Sequence, residues 1–145
     1  MKVSTKGRYA LRMLLDLAEH NNEGFISLKE IAKRQSISKQ YLEQIVSLLH
    51  TSNILRANRG KQGGYMLAKS PAQITVAQIL RITEGSLAPV ACLDDEDNQC
   101  ERDGFCKTLP MWQGLNNVIT DYLDNVNLQS ILDQYQAQGS DNYMI

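Results

Sequence analysis

Two helix-start signals on either side of one short turn constrain the fold of this chain more than any other feature. Ser27-Leu28-Lys29-Glu30 has the form of a capping box, in which a serine and a glutamate three residues on satisfy the free N–H groups of a helix start. The helix it opens carries Leu28, Ile31 and Ala32 inward and stops near Gln35. After the turn Gln35-Ser36-Ile37, Ser38 caps a further helix that runs to about Thr51, with Leu42, Ile45, Val46 and Leu49 on its inner face. Two helices joined by so tight a turn have the spacing of a helix-turn-helix, whose second helix is placed to enter a major groove.

The flanking sequence extends this unit. A first helix, capped by Ser4 or Thr5, runs to about His20 with Tyr9, Met13, Leu14, Leu17 and Ala18 on one face, and Phe25-Ile26 is short enough for a strand stub. Ile54-Leu55-Arg56-Ala57 and Tyr65-Met66-Leu67 read as two short strands around the glycine-rich tip NRGKQGG, which carries Arg59 and Lys61. A helix-turn-helix followed by a basic hairpin is the order of a winged helix. Pro71 breaks the chain, and Thr75-Val76-Ala77-Gln78 is a second capping box, opening a helix through Val76, Ile79 and Leu80 to Thr83.

Gly85 and Pro89 then introduce a loop of about twenty residues, a length usually tied to function or disorder in a compact domain. Thr108 caps a long helix with Pro110 in its first turn. Met111, Trp112, Leu115, Val118, Ile119, Tyr122, Leu123 and Val126 recur along it every three or four residues. A stripe this apolar either packs back on its own domain or pairs with a second copy. A short helix from Leu128 to Gln136 and a polar tail ending DNYMI, a candidate docking peptide, close the chain.

The expected fold is therefore mainly α with a small β wing: a winged helix-turn-helix DNA-binding domain plus a long dimerisation helix. The segments are 1–83 for the DNA-binding domain, 84–107 for the cysteine-containing loop, 108–136 for the dimerisation and short C-terminal helices, and 137–145 for the tail.

Charge is split along the chain. Residues 1–70 hold twelve Lys or Arg against five Asp or Glu, whereas residues 71–145 hold three against eleven. A basic half suits a polyanion, because phosphate neutralisation supplies most nonspecific nucleic-acid affinity. The outward positions of the helix after the turn, Lys39, Gln40, Glu43, Gln44 and Ser47, are residue types that read base edges. Arg59 and Lys61 at the hairpin tip suit minor-groove or phosphate contact. No apolar run approaches the length needed to cross a bilayer, and no hydrophobic signal core follows Lys2, so a cytoplasmic protein without a membrane partner is expected. A phosphate-binding glycine loop, an HExxH helix and a nucleophile elbow are all missing, which argues against an enzyme.

All three cysteines, Cys92, Cys100 and Cys106, fall within the long loop. An odd number cannot all pair as disulfides, and three converging thiolates suit a metal or an iron–sulfur cluster. Zinc, a cluster and bare thiol sensing all remain open on the residues alone. Asp94, Asp95, Asp97, Glu101 and Asp103 are nearby oxygen donors, and the two histidines, His20 and His50, read as structural.

MKVSTKGRYALRMLLDLA, ISKQYLEQIVSLL and RGKQGGYMLAKSPAQITVAQIL closely resemble the Rrf2 family of bacterial winged-helix repressors, and the likeness runs to about Leu132. Three cysteines after EGSLAPVAC resemble the iron–sulfur-sensing branch of that family. The resemblance implies a homodimer through the long helix, with Trp112, Leu115, Val118, Ile119, Tyr122 and Leu123 at the interface. It implies an iron–sulfur cluster, [2Fe–2S] ahead of [4Fe–4S], on Cys92, Cys100 and Cys106, which modulates affinity for a double-stranded DNA operator. It carries DNA contacts over to Tyr41, Glu43 and Gln44 in the recognition helix and to Arg59, Gly63 and Gly64 in the wing, while Ser38, Lys39, Gln40 and Lys61 join the expected DNA-contacting set by their position alone. Gln40 and Lys61-Gln62 depart from the family pattern. A repressor of cluster-biogenesis genes is the implied role. A cysteine-metabolism regulator, or a zinc or thiol sensor acting with a partner protein, is the alternative.

Overall fold

Hydroxyl caps start most of the helices in the computed structural model, which describes the backbone of residues 1–143 and side chains through residue 139. Helix α1 (Thr5–Glu19) begins where Ser4 Oγ accepts from the Gly7 N–H at 3.2 Å. Helix α2 (Leu28–Gln35) begins at Ser27, whose hydroxyl accepts from the Glu30 N–H at 3.2 Å, so the serine half of the expected box is in place. Helix α3 (Lys39–Thr51) begins at Ser38, which accepts from the Tyr41 N–H at 3.1 Å. Helix α4 (Val76–Glu84) has the reciprocal box complete between Thr75 and Gln78. Each cap satisfies an N–H that the helix itself cannot, typically worth about 1 kcal/mol.

The turn between α2 and α3 is closed by Ser36, which takes the left-handed conformation (φ 54°), and by the Ile37 N–H donating to the Ala32 carbonyl at 3.1 Å. Strands β1 (Leu55–Asn58) and β2 (Gly64–Leu67) pair antiparallel, in register from Leu55 opposite Leu67 to Asn58 opposite Gly64. Ile26 bridges to the other edge of β2 by exchanging both backbone hydrogen bonds with Tyr65, at 2.9 and 2.8 Å, as its place in a strand stub suggested. The result is a winged helix-turn-helix.

Apolar periodicity accounts for the core. Met13, Leu14, Ile31, Leu42, Ile45, Leu49, Ile74, Ile79 and Leu128 are fully buried, so α1 to α4 and the start of the last helix share one interior. A smaller cluster of Val76, Ala77, Leu80 and Leu87 is covered by Ile119, Leu123 and Val126. These come from α5 (Leu109–Asp124) and the junction after it. The N-terminal end of α4 is clipped to that junction: the Val76 N–H donates to the Val126 carbonyl at 2.8 Å and the Leu128 N–H to the Ile74 carbonyl at 3.0 Å. Near the other end of α4, Arg81 pairs with Asp124 at 3.0 Å.

Among the described residues, one charged side chain is buried. Asp16, with 3 % of its surface exposed, accepts from Arg34 Nε (3.0 Å) and Nη2 (2.7 Å) and from Gln35 Nε2 (2.9 Å). Burial pushes its carboxyl upward, but the hydrogen bonds from Arg34 and Gln35, with the Arg34 charge, outweigh burial and hold it below the usual carboxylate range. Arg12 extends the network, donating to the Gln35 carbonyl and stacking 5.2 Å over the Tyr9 ring. Thus α1 grips the helix-turn-helix exactly where its turn begins.

Two expectations change. The α5 stripe divides: Ile119 and Leu123 pack on this chain's own second cluster, whereas Leu115, Val118 and Tyr122 stay exposed together with Met111. Ile119 and Leu123 are half-buried because Val76, Ala77 and Leu80 of α4 offer them an apolar partner within the monomer. The last helix, α6, runs Leu128–Tyr143 rather than stopping at Gln136, since the polar stretch after Gln136 contains no proline to stop it and its single Gly139 is tolerated. The proposed docking peptide at the extreme C-terminus lies outside the residues whose side chains are described.

Candidate nucleic-acid interface

The residues that sequence reasoning assigned to DNA occupy α3 and the wing. Ser38, Lys39, Gln40, Glu43 and Gln44 are exposed, in a row that begins at the helix cap. Lys39 and Glu43 face each other one turn apart at 4.0 Å, an exposed pair of small energetic weight that DNA can replace. Tyr41 is different. It is half-buried, its ring meeting the Tyr9 ring edge-on at 5.5 Å, so it braces the start of α3 against α1.

Arg59 and Lys61 stand exposed at the wing tip around Gly60, whose φ of 114° favours glycine. Gly63 and Gly64 turn out to be needed by the wing itself. A Cβ on Gly63 would overlap the Asn58 carbonyl, and one on Gly64 would overlap the Ile26 carbonyl and sit 2.8 Å from the Ser27 nitrogen. Gly63 thus lets the hairpin close on itself, and Gly64 lets β2 lie flush against Ile26-Ser27 ahead of α2.

A groove of about 510 Å³ separates α3 from the wing. Glu43, Ser47 and His50 line one wall at successive helical turns, and Asn58, Arg59 and Tyr65 line the other. Sequence reasoning treated His50 as structural and did not single out Asn58. Their position becomes visible only when the hairpin folds beside α3. His20 is structural as expected, its ring Nδ1 within 2.8 Å of the Asp16 carbonyl. Such a convex helix flanked by a basic wing can dock a duplex, with phosphates on the wing and base edges on α3.

The loop between α4 and α5 contains two short 3₁₀ turns, Ala91–Leu93 and Asp103–Phe105. Cys92 is half-buried in the first, Cys100 is exposed, and Cys106 is half-buried just before α5; all three thiols are free. Cys106 Sγ lies 3.4 Å from Thr108 Oγ1, and this contact, with backbone hydrogen bonds and the charge of Arg102, lowers the thiol below its usual range. Among the described residues no three Cys, His, Asp or Glu side chains are gathered in a metal-holding arrangement. The donor set of three thiolates fits iron–sulfur chemistry, but the loop as folded has not drawn them together. Leu109 is buried and supplies no ligand.

The comparisons agree with this geometry. The Rrf2 family model, described as an iron-dependent transcriptional regulator, matches residues 3–134. An HTH-type transcriptional regulator of Neisseria meningitidis is 40 % identical over 134 residues, 92 % of this chain and 89 % of that one. The structure of CymR, the global cysteine regulator of B. subtilis, superposes with a TM-score of 0.77 at 34 % identity, covering 92 % of this chain and 98 % of that one. T. potens IscR superposes with a TM-score of 0.76 at 39 % identity, covering 95 % and 91 %.

Proposed function

This chain belongs to the Rrf2 family of DNA-binding transcriptional regulators, not enzymes, and from that premise we propose that it is an iron–sulfur-sensing repressor acting as a homodimer. The observation that carries the reading is the position of the three free thiols. Cys92, Cys100 and Cys106 lie in the one long loop that joins α4, part of the DNA-binding half, to α5, which bears the exposed apolar face. Ordering of that loop would act on both at once.

Met111, Leu115, Val118 and Tyr122 are 53, 40, 66 and 67 % exposed and fall at spacings that put them on one face of α5. A second copy covering this face would set two α3 helices against an operator with two half-sites. Ser38, Lys39, Gln40, Tyr41, Glu43 and Gln44 then serve the major groove, and Arg59 and Lys61 serve phosphates or the minor groove. Cys92, Cys100 and Cys106 would hold the cluster, whose presence or oxidation state supplies the signal; the fourth position falls to a residue other than Leu109.

Anaerobically purified protein should carry iron and acid-labile sulfide with visible absorption, and operator affinity should differ between cluster-loaded and stripped forms. Colourless, iron-free protein after anaerobic reconstitution refutes the cluster reading. A second reading rests on Cys106: its lowered thiol pKa and the ungathered thiols favour a thiol sensor of the kind that works with a partner protein. Operator affinity that responds to peroxide in iron-free protein selects that reading.

A further inference from the structure

The groove between α3 and the wing brings together three side chains that the chain itself leaves unpaired. His50, in the last turn of α3, stands on one wall, and Asn58 and Arg59, at the end of β1 and just beyond it, stand on the other. All three are exposed, and among the described residues none of these side chains has a hydrogen-bond or ion-pair partner. Other cations are occupied: Arg12 donates to the Gln35 carbonyl, Arg34 holds Asp16 and Arg81 holds Asp124. Donors left free on two facing walls suit an acceptor that comes from outside the chain.

Duplex geometry identifies that acceptor. With α3 in the major groove and the wing at the adjacent minor groove, the sugar–phosphate strand that divides the two grooves must pass between helix and wing. The space between them is the groove that His50 and Asn58 line. Histidine is the side chain whose charge changes between about pH 5 and 8, and an anion beside an imidazole favours the protonated ring. The charged and titratable groups that share the groove with His50 are Glu43 of α3, which pairs with Lys39 at 4.0 Å, and Arg59 and the Tyr65 phenol of the wing. Arg56 of β1 does not line it. His20, the other histidine, is engaged with the Asp16 carbonyl.

We propose that this groove seats the phosphate strand between the two grooves of the duplex, and that His50 binds it as the imidazolium, so that DNA affinity is linked to proton uptake. Asn58 donates its amide to the same strand at any pH. The proposal rests on the DNA-binding reading and adds to it an input that is separate from the cysteine loop.

The probe is a duplex recovered from a random-sequence pool by binding to the full-length protein near neutral pH, and its affinity is read by fluorescence anisotropy at fixed ionic strength. From about pH 8 to about pH 6 the parent should gain about tenfold, the ratio given by a phosphate that moves the imidazole equilibrium by about one pH unit. The slope of log affinity against log salt should steepen by about one over the same interval. His50→Gln should keep the parent's alkaline affinity throughout, and His50→Arg, charged at every pH, should keep the parent's acid affinity throughout. Asn58→Ala should lose several-fold at every pH and retain the parent's pH dependence. Parent affinity that is unchanged between the two pH values, or a change that survives in His50→Gln, overturns the proposal and leaves DNA binding intact. Recovery of no duplex at either pH overturns the DNA-binding reading and the proposal with it.

Discussion

Replacing Asp16 with alanine should destabilise the chain by about 2–3 kcal/mol. Breaking a buried ion pair by deleting one partner costs about 3–5 kcal/mol, because the other charge is stranded. Here the stranded group is Arg34, whose side chain is 35 % exposed and can regain water, so the lower part of that range or less applies. Gln35 loses one bond and also recovers solvent. At roughly 2.1 cal/mol/K per residue, an unfolding entropy of about 0.3 kcal/mol/K for a chain of this length turns the loss into a melting-temperature drop of roughly 7–10 °C. Urea denaturation followed by circular dichroism at fixed protein concentration would measure it. The pH dependence carries the sharper test. Since the folded-state carboxyl is held below its usual range, the stability it supplies is complete above about pH 4 and is lost as pH falls through the folded-state value. The gap between parent and Asp16→Ala should therefore be constant near neutrality and shrink in acid. A loss under about 1 kcal/mol, or a gap that does not shrink on acidification, would refute the claim that the ionised carboxylate holds this junction.

Gly64→Ala should push β2 away from Ile26, cost about 2 kcal/mol or more, and loosen the wing so that operator affinity falls further than stability alone explains; hydrogen exchange at Tyr65 would report it. Val118→Asp places a charge on the exposed α5 face, and sedimentation should show a monomer with an unchanged circular dichroism spectrum; a persisting dimer would move the interface elsewhere. Arg59→Ala should weaken binding to all duplexes and lower the slope of log affinity against log salt by about one, whereas full affinity would remove the wing from the interface.

Much of this architecture was legible because its signals are local. Ser27, Ser38 and Thr75 start helices where a hydroxyl is followed by periodic apolar residues, and the hairpin announces itself by glycines between β-branched or aromatic runs. The Asp16 network was not legible, since its partners Arg34 and Gln35 are joined only by folding and an aspartate in an apolar stripe reads as a solvated interruption. The division of the α5 stripe was hidden for a related reason: Ile119 and Val118 are equally apolar, and only the position of α4 decides which one it covers. The thiols illustrate the opposite limit. Their clustering in sequence suggested convergence, but a loop brings neighbours together only when something holds them, and here two separate 3₁₀ turns keep Cys92 and Cys106 in different surroundings.

The clip between Ile74-Val76 and Val126-Leu128 has a further consequence. Together with Arg81 and Asp124 it fixes α4 against α5 with only Leu87 drawn from the segment that connects them. Beyond Leu87, which is buried with Val76, Ala77 and Leu80, that segment is thus a detour between two points already fastened. It can lengthen, shorten or exchange its side chains with little penalty to the scaffold, so one body can be refitted over evolutionary time for different chemical inputs while its grip on DNA stays the same.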